Sequence, residues 1–409
     1  MARLAVAFVL VLAPFVAVPA AARADDVPAA PTDLAALEAK AAGGDAAAQL
    51  ALGLRYARGE GVAKSATQAV GWYRKAAEQG LSGAQVELGV ALAHGTGASK
   101  DEAAALGWYR KAAEQGNAAG QNNLGVMYAT GRGGVAQDLA AAASWYRKAA
   151  EQGYARAQRN LAALYELGSG VPKDEAAAAE WYRKAAELHD GAAAWRLALL
   201  YVAGRGVKKD DAAAAGWYRK AAELGVVEAE YEYGLLLETG RGVAKDDTEA
   251  VVWYRRAAEK GLSKAQVRIG YRCLVGLGVA RDEAAALSWY RKAAQQGNAS
   301  AQHALGLMVQ AGRGTAKDES LAATWLKRSA TQGWAGGQSS LASAYAEGRG
   351  VPQDDVLAFM WARLAANQKD AAATKLLAVL EARMKPADVG KAEKAARDFV
   401  PKPEAPPAR

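Results

Sequence analysis

The chain is poor in cysteine, phenylalanine and histidine, with one, four and three residues among 409. A single thiol, Cys273, cannot close an internal disulfide, which excludes a disulfide-stapled scaffold even in a compartment that would allow one. His94, His189 and His303 stand far apart with no ligand cluster around any of them, which argues against a metal centre. Few stretches alternate β-branched and polar residues, so strands are not expected. Beyond residue 24 no run is apolar enough to span a bilayer. What the chain has in quantity is alanine, the best helix former, with 11 Trp and 16 Tyr as its large side chains. An all-α fold follows.

The N-terminus has the composition of an export signal. Arg3 precedes an apolar run from Leu4 to Val18, interrupted by Pro14, and Ala22-Arg23-Ala24 has the small-x-small form of a signal-peptidase site. Residues 1–24 are therefore expected to be removed, leaving Asp25 as the first residue. A bacterial lipoprotein would need cysteine at that place, so the mature chain is expected to be soluble, periplasmic or secreted, with no membrane insertion. The formal charge is +8, of which Arg3 and Arg23 belong to the leader. The remainder is mildly basic. Export removes most nucleic-acid partners, and only a weak attraction to anionic envelope polymers is expected.

Tryptophan recurs at residues 72, 108, 145, 181, 217, 253, 289, 325 and 361, at intervals of 36 with one of 37. The extra residue falls in Gly131-Arg132-Gly133-Gly134, a loop, where insertion is tolerated. The period defines nine units: 45–80, 81–116, 117–153, 154–189, 190–225, 226–261, 262–297, 298–333 and 334–369. Each reads as two helices. In the second unit Ala84, Leu88 and Leu92 form one apolar face, and Gly89 offers room for a close neighbour. Gly95-Thr96-Gly97 stops this helix. Asp101 caps the next, as do Asp138, Asp174, Asp210, Asp246, Asp282, Asp318 and Asp354 in their units, and Ser65 in the first. The second helix directs Ala105, Trp108, Tyr109 and Ala112 inward, and Gly116 closes it.

The pattern A-x-x-x-L-G-x-x-Y-x-x-G-x-G-V-x-x-D, followed by A-x-x-W-Y-R-K-A-A-E-x-G, resembles the Sel-one-like repeat, a relative of the tetratricopeptide repeat. Ala48 to Gly80 and Ala265 to Gly297 carry it with local changes. Phe359-Met360-Trp361 to Ala366, Met384-Lys385-Pro386 and Ala392 to Phe399 resemble that family's terminal cap, placed at 370–399 ahead of a Pro-rich tail at 400–409. Leu34 to Ala42, within the N-terminal segment 25–44, resembles a lone second helix acting as a cap. The resemblance implies an α/α superhelical solenoid whose concave face is lined by first helices, and an adaptor or scaffold role. Some exported relatives carry a cysteine pair in each repeat. This chain lacks those pairs, so penicillin binding, a property of that branch, is not implied.

Several candidate sites have structural explanations. The Gly-x-Gly turns join helices and lack the preceding strand of a dinucleotide fingerprint, so helix termination accounts for them. Arg-Lys pairs such as Arg110-Lys111 and Arg219-Lys220 form a basic stripe, but Glu114 and Glu223 follow on the same helical face and cancel much of the charge. Cys273 takes the slot of Tyr56, Tyr128, Tyr165 and Tyr201, where a buried inert thiol is expected. No Ser-His-Asp arrangement is legible.

On a helical wheel, Leu88, Gly89 and Leu92 point toward packing, and the positions two before and two after Leu88 point toward the concave face. The first position reads Leu50, Val86, Asn122, Arg159, Trp195, Tyr231, Val267, His303 and Ser339. The second reads Leu54, Val90, Val126, Ala163, Leu199, Leu235, Tyr271, Leu307 and Ser343. Trp195, Tyr231 and Tyr271 form an aromatic centre flanked by Asn122, Arg159 and His303. Packing of these side chains between adjacent first helices is the competing explanation. The expected function is a non-enzymatic scaffold without cofactor, binding a peptide or protein segment in the cell envelope along this groove. A peptidoglycan or carbohydrate ligand is the alternative, and an envelope hydrolase a remoter one.

Overall fold

A computed structural model describes residues 33–404. The proposed leader and the cleavage point before Asp25 lie outside the described residues. Among these residues the regular structure is entirely α-helical. A nine-residue helix, Leu34–Ala42, comes first, and every later helix has 13 residues. The chain divides into two units. One ends at Lys209, after the first helix of repeat 5, and the other begins at Asp210, at the cap of that repeat's second helix. Within each unit, helix packs on the following helix and repeat on the following repeat, in solenoid fashion.

Local chemistry sets the helix ends. In repeat 2 the first helix, Ser82–His94, stops at Gly95 in the left-handed conformation. Asp101 then caps the second, Glu102–Glu114, by accepting from the Ala104 N–H at 2.9 Å. Asp101 N–H also donates back to the Leu92 carbonyl at 2.9 Å, closing the turn against its own repeat. In repeats 4 and 9 the closing glycine is replaced by His189 and Lys369, which adopt φ of 63° and 68°. His189 is thus a helix-end residue.

Within a repeat the large buried anchor is tyrosine. Tyr109, Tyr146, Tyr182 and Tyr254 are fully buried. Tryptophan was expected to point inward with it, yet seven of the nine repeat tryptophans are only half-buried, the exceptions being Trp253 and Trp361. A cation lies over the exposed face of most. Lys75, Lys111 and Lys148 stand 4.1–4.2 Å from the ring centroids of Trp72, Trp108 and Trp145. The lysines of the basic stripe therefore serve as lids on tryptophan.

Two ladders tie repeats together. Gln85 Nε2 donates to the Ala77 carbonyl of the preceding repeat at 3.3 Å, and Gln115 Nε2 donates to Gln85 Oε1 at 2.9 Å. Gln49–Gln79, Gln121–Gln152, Gln266–Gln296, Gln302–Gln332 and Gln338–Gln368 repeat the pairing at 2.8–2.9 Å. In repeat 6 the pair becomes ionic, Glu230 with Lys260 at 2.9 Å. The second ladder runs from the arginine of a Gly-x-Gly turn to the start of the preceding repeat's second helix. Arg132–Glu102, Arg205–Glu175, Arg241–Asp211 and Arg313–Glu283 are its rungs at 2.6–3.0 Å. Hydrogen bonds from Arg132 and Lys100 hold the Glu102 carboxyl down at about 2.

In repeats 2 to 9 the second glycine of the turn does more than end a helix, the role expected of it from sequence. At Gly206, φ is +66°, and the backbone lies directly against the carbonyl of Glu175 in the previous repeat. The turn is an inter-repeat contact as well as a stop.

Candidate functional site

In the first unit three of the ten proposed groove positions are buried within the protein and seven are half-buried. Leu50, Val86 and Asn122 are buried, at 3%, 2% and 4% exposure. Asn122 donates to Asn123 Oδ1 at 3.2 Å and accepts from Asn160 Nδ2 at 3.1 Å, so its amide belongs to an internal network. Arg159 reaches both carboxylate oxygens of Asp190, at 3.0 and 2.8 Å. Asp190 in turn caps the first helix of repeat 5, so Arg159 braces a helix start. Trp195 is half-buried, with the Arg196 guanidinium 5.3 Å from its ring and an indole N–H that is buried without a hydrogen-bond partner.

In the second unit two of the proposed positions, Tyr271 and Leu307, are exposed, while Ser339 is buried. Tyr231 and Tyr271 come together on a cavity of about 360 Å³, lined also by Lys264, Val267, Arg268 and Tyr290, with Asn298 and Ser300 at its rim. Tyr271 is 45% exposed. Lys264 sits 4.2 Å above the Tyr231 ring and 3.0 Å from Glu232, and Arg268 lies 3.4 Å from Glu238. The cavity therefore has aromatic walls and nearly balanced charge. Burial pushes the Tyr290 hydroxyl up to about 12, with Tyr271 and Cys273 adding to the rise. That hydroxyl stays protonated and can donate.

His303 does not join this cavity. Its Nε2 lies 3.0 Å from Ser340 Oγ, and its ring packs toward Gly336 of the following repeat. Burial lowers its pKa, against a smaller upward pull from Asp370. Across the first helix of repeat 8, Ala299–Ala311, a second cavity of about 570 Å³ is lined by Leu274, Ala304, Leu307, Met308 and Arg313 among others. Leu307 was one of the second wheel positions. The two cavities share Ala304; Tyr271, exposed, lines the first and Leu307, exposed at the equivalent place one repeat later, lines the second.

Sequence reasoning missed the buried ion cluster behind this face. Arg272, 2% exposed, bonds Asp247 at 2.6 Å and Glu238 at 3.0 Å, and Tyr254 donates to the same Glu238 at 2.6 Å. The cluster holds the helix that carries Tyr271 and Cys273. Cys273 is buried, and burial raises its pKa, so the thiol is a core group. Among the described residues no three His, Cys, Asp or Glu side chains are grouped as a metal would require, and no helix is long and apolar enough to cross a membrane.

Paired 13-residue helices, a 36-residue period and inter-repeat ladders define a helical-repeat scaffold. The Sel1 repeat model matches nine consecutive segments, 46–81, 82–117, 118–154, 155–190, 191–226, 227–262, 263–298, 299–334 and 335–370. The chain belongs to the Sel1 repeat family. It is similar to a protective antigen of uropathogenic Escherichia coli that displays an SLR fold, at 33% identity over 91% of this chain and 95% of that one, with a TM-score of 0.60. It is also similar to a Sel1 repeat protein from Oxalobacter formigenes, at 35% identity over 60% of this chain and 96% of that one, with a TM-score of 0.50. No curated protein matches it. Sel1 repeat proteins are generally non-enzymatic scaffolds for protein–protein interaction.

Proposed function

We propose that this protein is a periplasmic or secreted scaffold that holds a peptide or protein segment against the first-helix face of its second unit. The observation that carries this reading is the exposed ring of Tyr271, standing with Tyr231 over a cavity that shares Ala304 with the one lined by Leu307. An exposed aromatic beside a concave, mostly apolar surface with a few polar groups is the usual form of a binding anchor. Envelope location rests on the leader at residues 1–24. The half-buried Trp195 and the braced Arg159 have smaller roles in this reading than the two tyrosines. A glycan or peptidoglycan strand is the alternative occupant, favoured by the two tyrosine faces and the polar rim at Asn298 and Ser300.

Capture from the envelope extract of the native host tests the proposal, with the unaltered protein beside Tyr271→Ala and Tyr231→Ala. Protein prey retained by the first and lost by both variants is the expected result. Retention of glycan without protein would transfer the site to the alternative. Equal capture by all three proteins would remove the tyrosine face from the function.

A further inference from the structure

The chain's own C-terminal segment is seated on repeat 8. Phe399 packs edge-on against Trp361, with centroids 5.3 Å apart. The backbone then runs along the edge formed by the ends of the second helices. Lys402 N–H donates to the Thr331 carbonyl at 2.9 Å, and Glu404 N–H donates to Gln332 Oε1 at 3.3 Å. Pro401 lies over Gly333, and the Glu404 backbone over Gly297. The Glu404 carboxylate accepts from Gln302 Nε2 and pairs with the Arg328 guanidinium. Three residues, Pro401, Lys402 and Glu404, are thus read at proline, backbone and carboxylate.

The repeat sequence is altered where this happens. The last residue of the second helix is acidic in repeats 1 to 6: Glu78, Glu114, Glu151, Glu187, Glu223 and Glu259. In repeats 7 and 8 it is Gln295 and Thr331. The like charge that would repel a carboxylate is missing under the tail. The residue over the repeat's tryptophan is lysine in repeats 1 to 5 and in repeat 7, and arginine in repeats 6 and 8, here Arg328. Its planar fork stacks 4.5 Å from the Trp325 ring and still presents donors to Glu404. At the equivalent closing glycines Gly80, Gly116 and Gly261, nothing lies over the backbone. The seat is therefore particular to this place in the array.

The hold on the tail is slight in itself, since Val400 is exposed and few bonds are made. Tethering supplies the rest: a short linker gives an effective concentration in the millimolar range. We propose that the seat formed by Gln302, Arg328, Thr331 and Gln332 is a docking site for an extended segment of a partner protein in which a carboxylate follows a proline by three residues, and that the chain's tail is its resident competitor. This surface lies at the helix ends and is separate from the tyrosine cavity.

The probe is a fluorescein-labelled peptide with the sequence of residues 400–409, titrated by anisotropy against the full chain. The Glu404→Ala chain, its seat vacated, is expected to bind the peptide at least tenfold more tightly than the unaltered chain. Adding Arg328→Ala, or separately Gln302→Ala, should reverse that gain, and a peptide with glutamine in place of its glutamate should not bind. Gln302→Ala leaves the Trp325 stack intact but breaks the Gln302–Gln332 rung, so the glutamine peptide, read on a chain whose seat residues are unaltered, is the result that no disturbance of the repeat can imitate. Tyr271→Ala should leave peptide binding unchanged, which separates this proposal from the tyrosine-face reading. Equal binding by the unaltered and Glu404→Ala chains, indifference to both seat variants, or tail-dependent dimers that vanish with Glu404→Ala would overturn it.

Discussion

A Cβ placed on Gly206 would lie 1.9 Å from the backbone carbonyl oxygen of Glu175, one repeat earlier. No rotamer can relieve that clash, because the backbone fixes the positions of both the Cβ and the carbonyl oxygen. Gly61 holds the same place in repeat 1, which the shorter capping helix Leu34–Ala42 precedes, and among the described residues a Cβ there would meet only the end of Arg55 at 3.9 Å. Both have positive φ. Gly61→Ala is therefore expected to cost only the conformational term, about 1–2 kcal/mol. Gly206→Ala adds the clash and should cost about 3–5 kcal/mol. Urea titration of the two variants checks this, and equal losses would show that the contact between repeats carries no weight.

The glutamine ladder is interrupted in repeats 4 and 5, and in repeat 4 it leaves half a rung. Gln158 Nε2 donates to the Ala150 carbonyl at 3.1 Å, but Gln158 Oε1 is buried without a donor. The position that supplies the donor in repeat 3 is Gln152; here it is Leu188, which is 47% exposed. Leu188→Gln should complete the rung and stabilise the first unit by about 0.5–1.5 kcal/mol. Hydrogen exchange should slow around residues 155–167 and 175–187. A variant no more stable than the parent would mean that water already satisfies the amide.

Glu87 gives the first unit a pH dependence of unusual sign for a carboxylate. Burial lifts its pKa from 4.5 to about 7, with Arg58 pulling the other way. Between those values the folded chain holds a proton that the unfolded chain has released, so stability falls as pH rises through the window. Above pH 7 the penalty approaches its full size, on the order of 3 kcal/mol. Glu87→Gln should remove it. The variant is expected to match the parent at pH 4 and exceed it in urea melts at pH 8. Parallel pH profiles would dispose of the buried-acid account.

Once a partner is in hand, Tyr271→Ala should weaken it at least tenfold, a loss of about 1.4 kcal/mol or more, while the helical circular dichroism signal is kept. Lys111→Ala, which removes a lid from Trp108, should change affinity little at physiological salt. The reverse pattern would move the binding surface to the second helices.

The array was legible because its signals are local and periodic. Asp101 and Gly95 mark helix ends whatever surrounds them, and tryptophan marks the period. The groove was only partly legible because a helical wheel treats each helix alone. Leu50, Val86 and Asn122 sit at wheel positions that point outward, yet their neighbours bury them. Tyr271, at the second wheel position of its helix, stays open. The ladders were present as letters, Gln85 with Gln115 and Arg132 with Glu102, but the 30-residue spacing gains meaning only when repeats stack. The tail seat left one trace, the loss of the repeated glutamate at Gln295 and Thr331.

Repeat 3 holds one residue more than its neighbours, and its ladder partners are 31 apart, Gln121 with Gln152, yet the bond is the usual 2.8 Å. Gly133 still abuts the Glu102 carbonyl, while a Cβ on Gly134 would meet nothing within 4 Å. The added length is absorbed where the chain faces open space, and the register of everything after it is preserved. Gly134 is thus a natural splice point: a short reporter or affinity tag inserted there would extend the polypeptide outward, giving an observer a handle on the middle of the array instead of its ends.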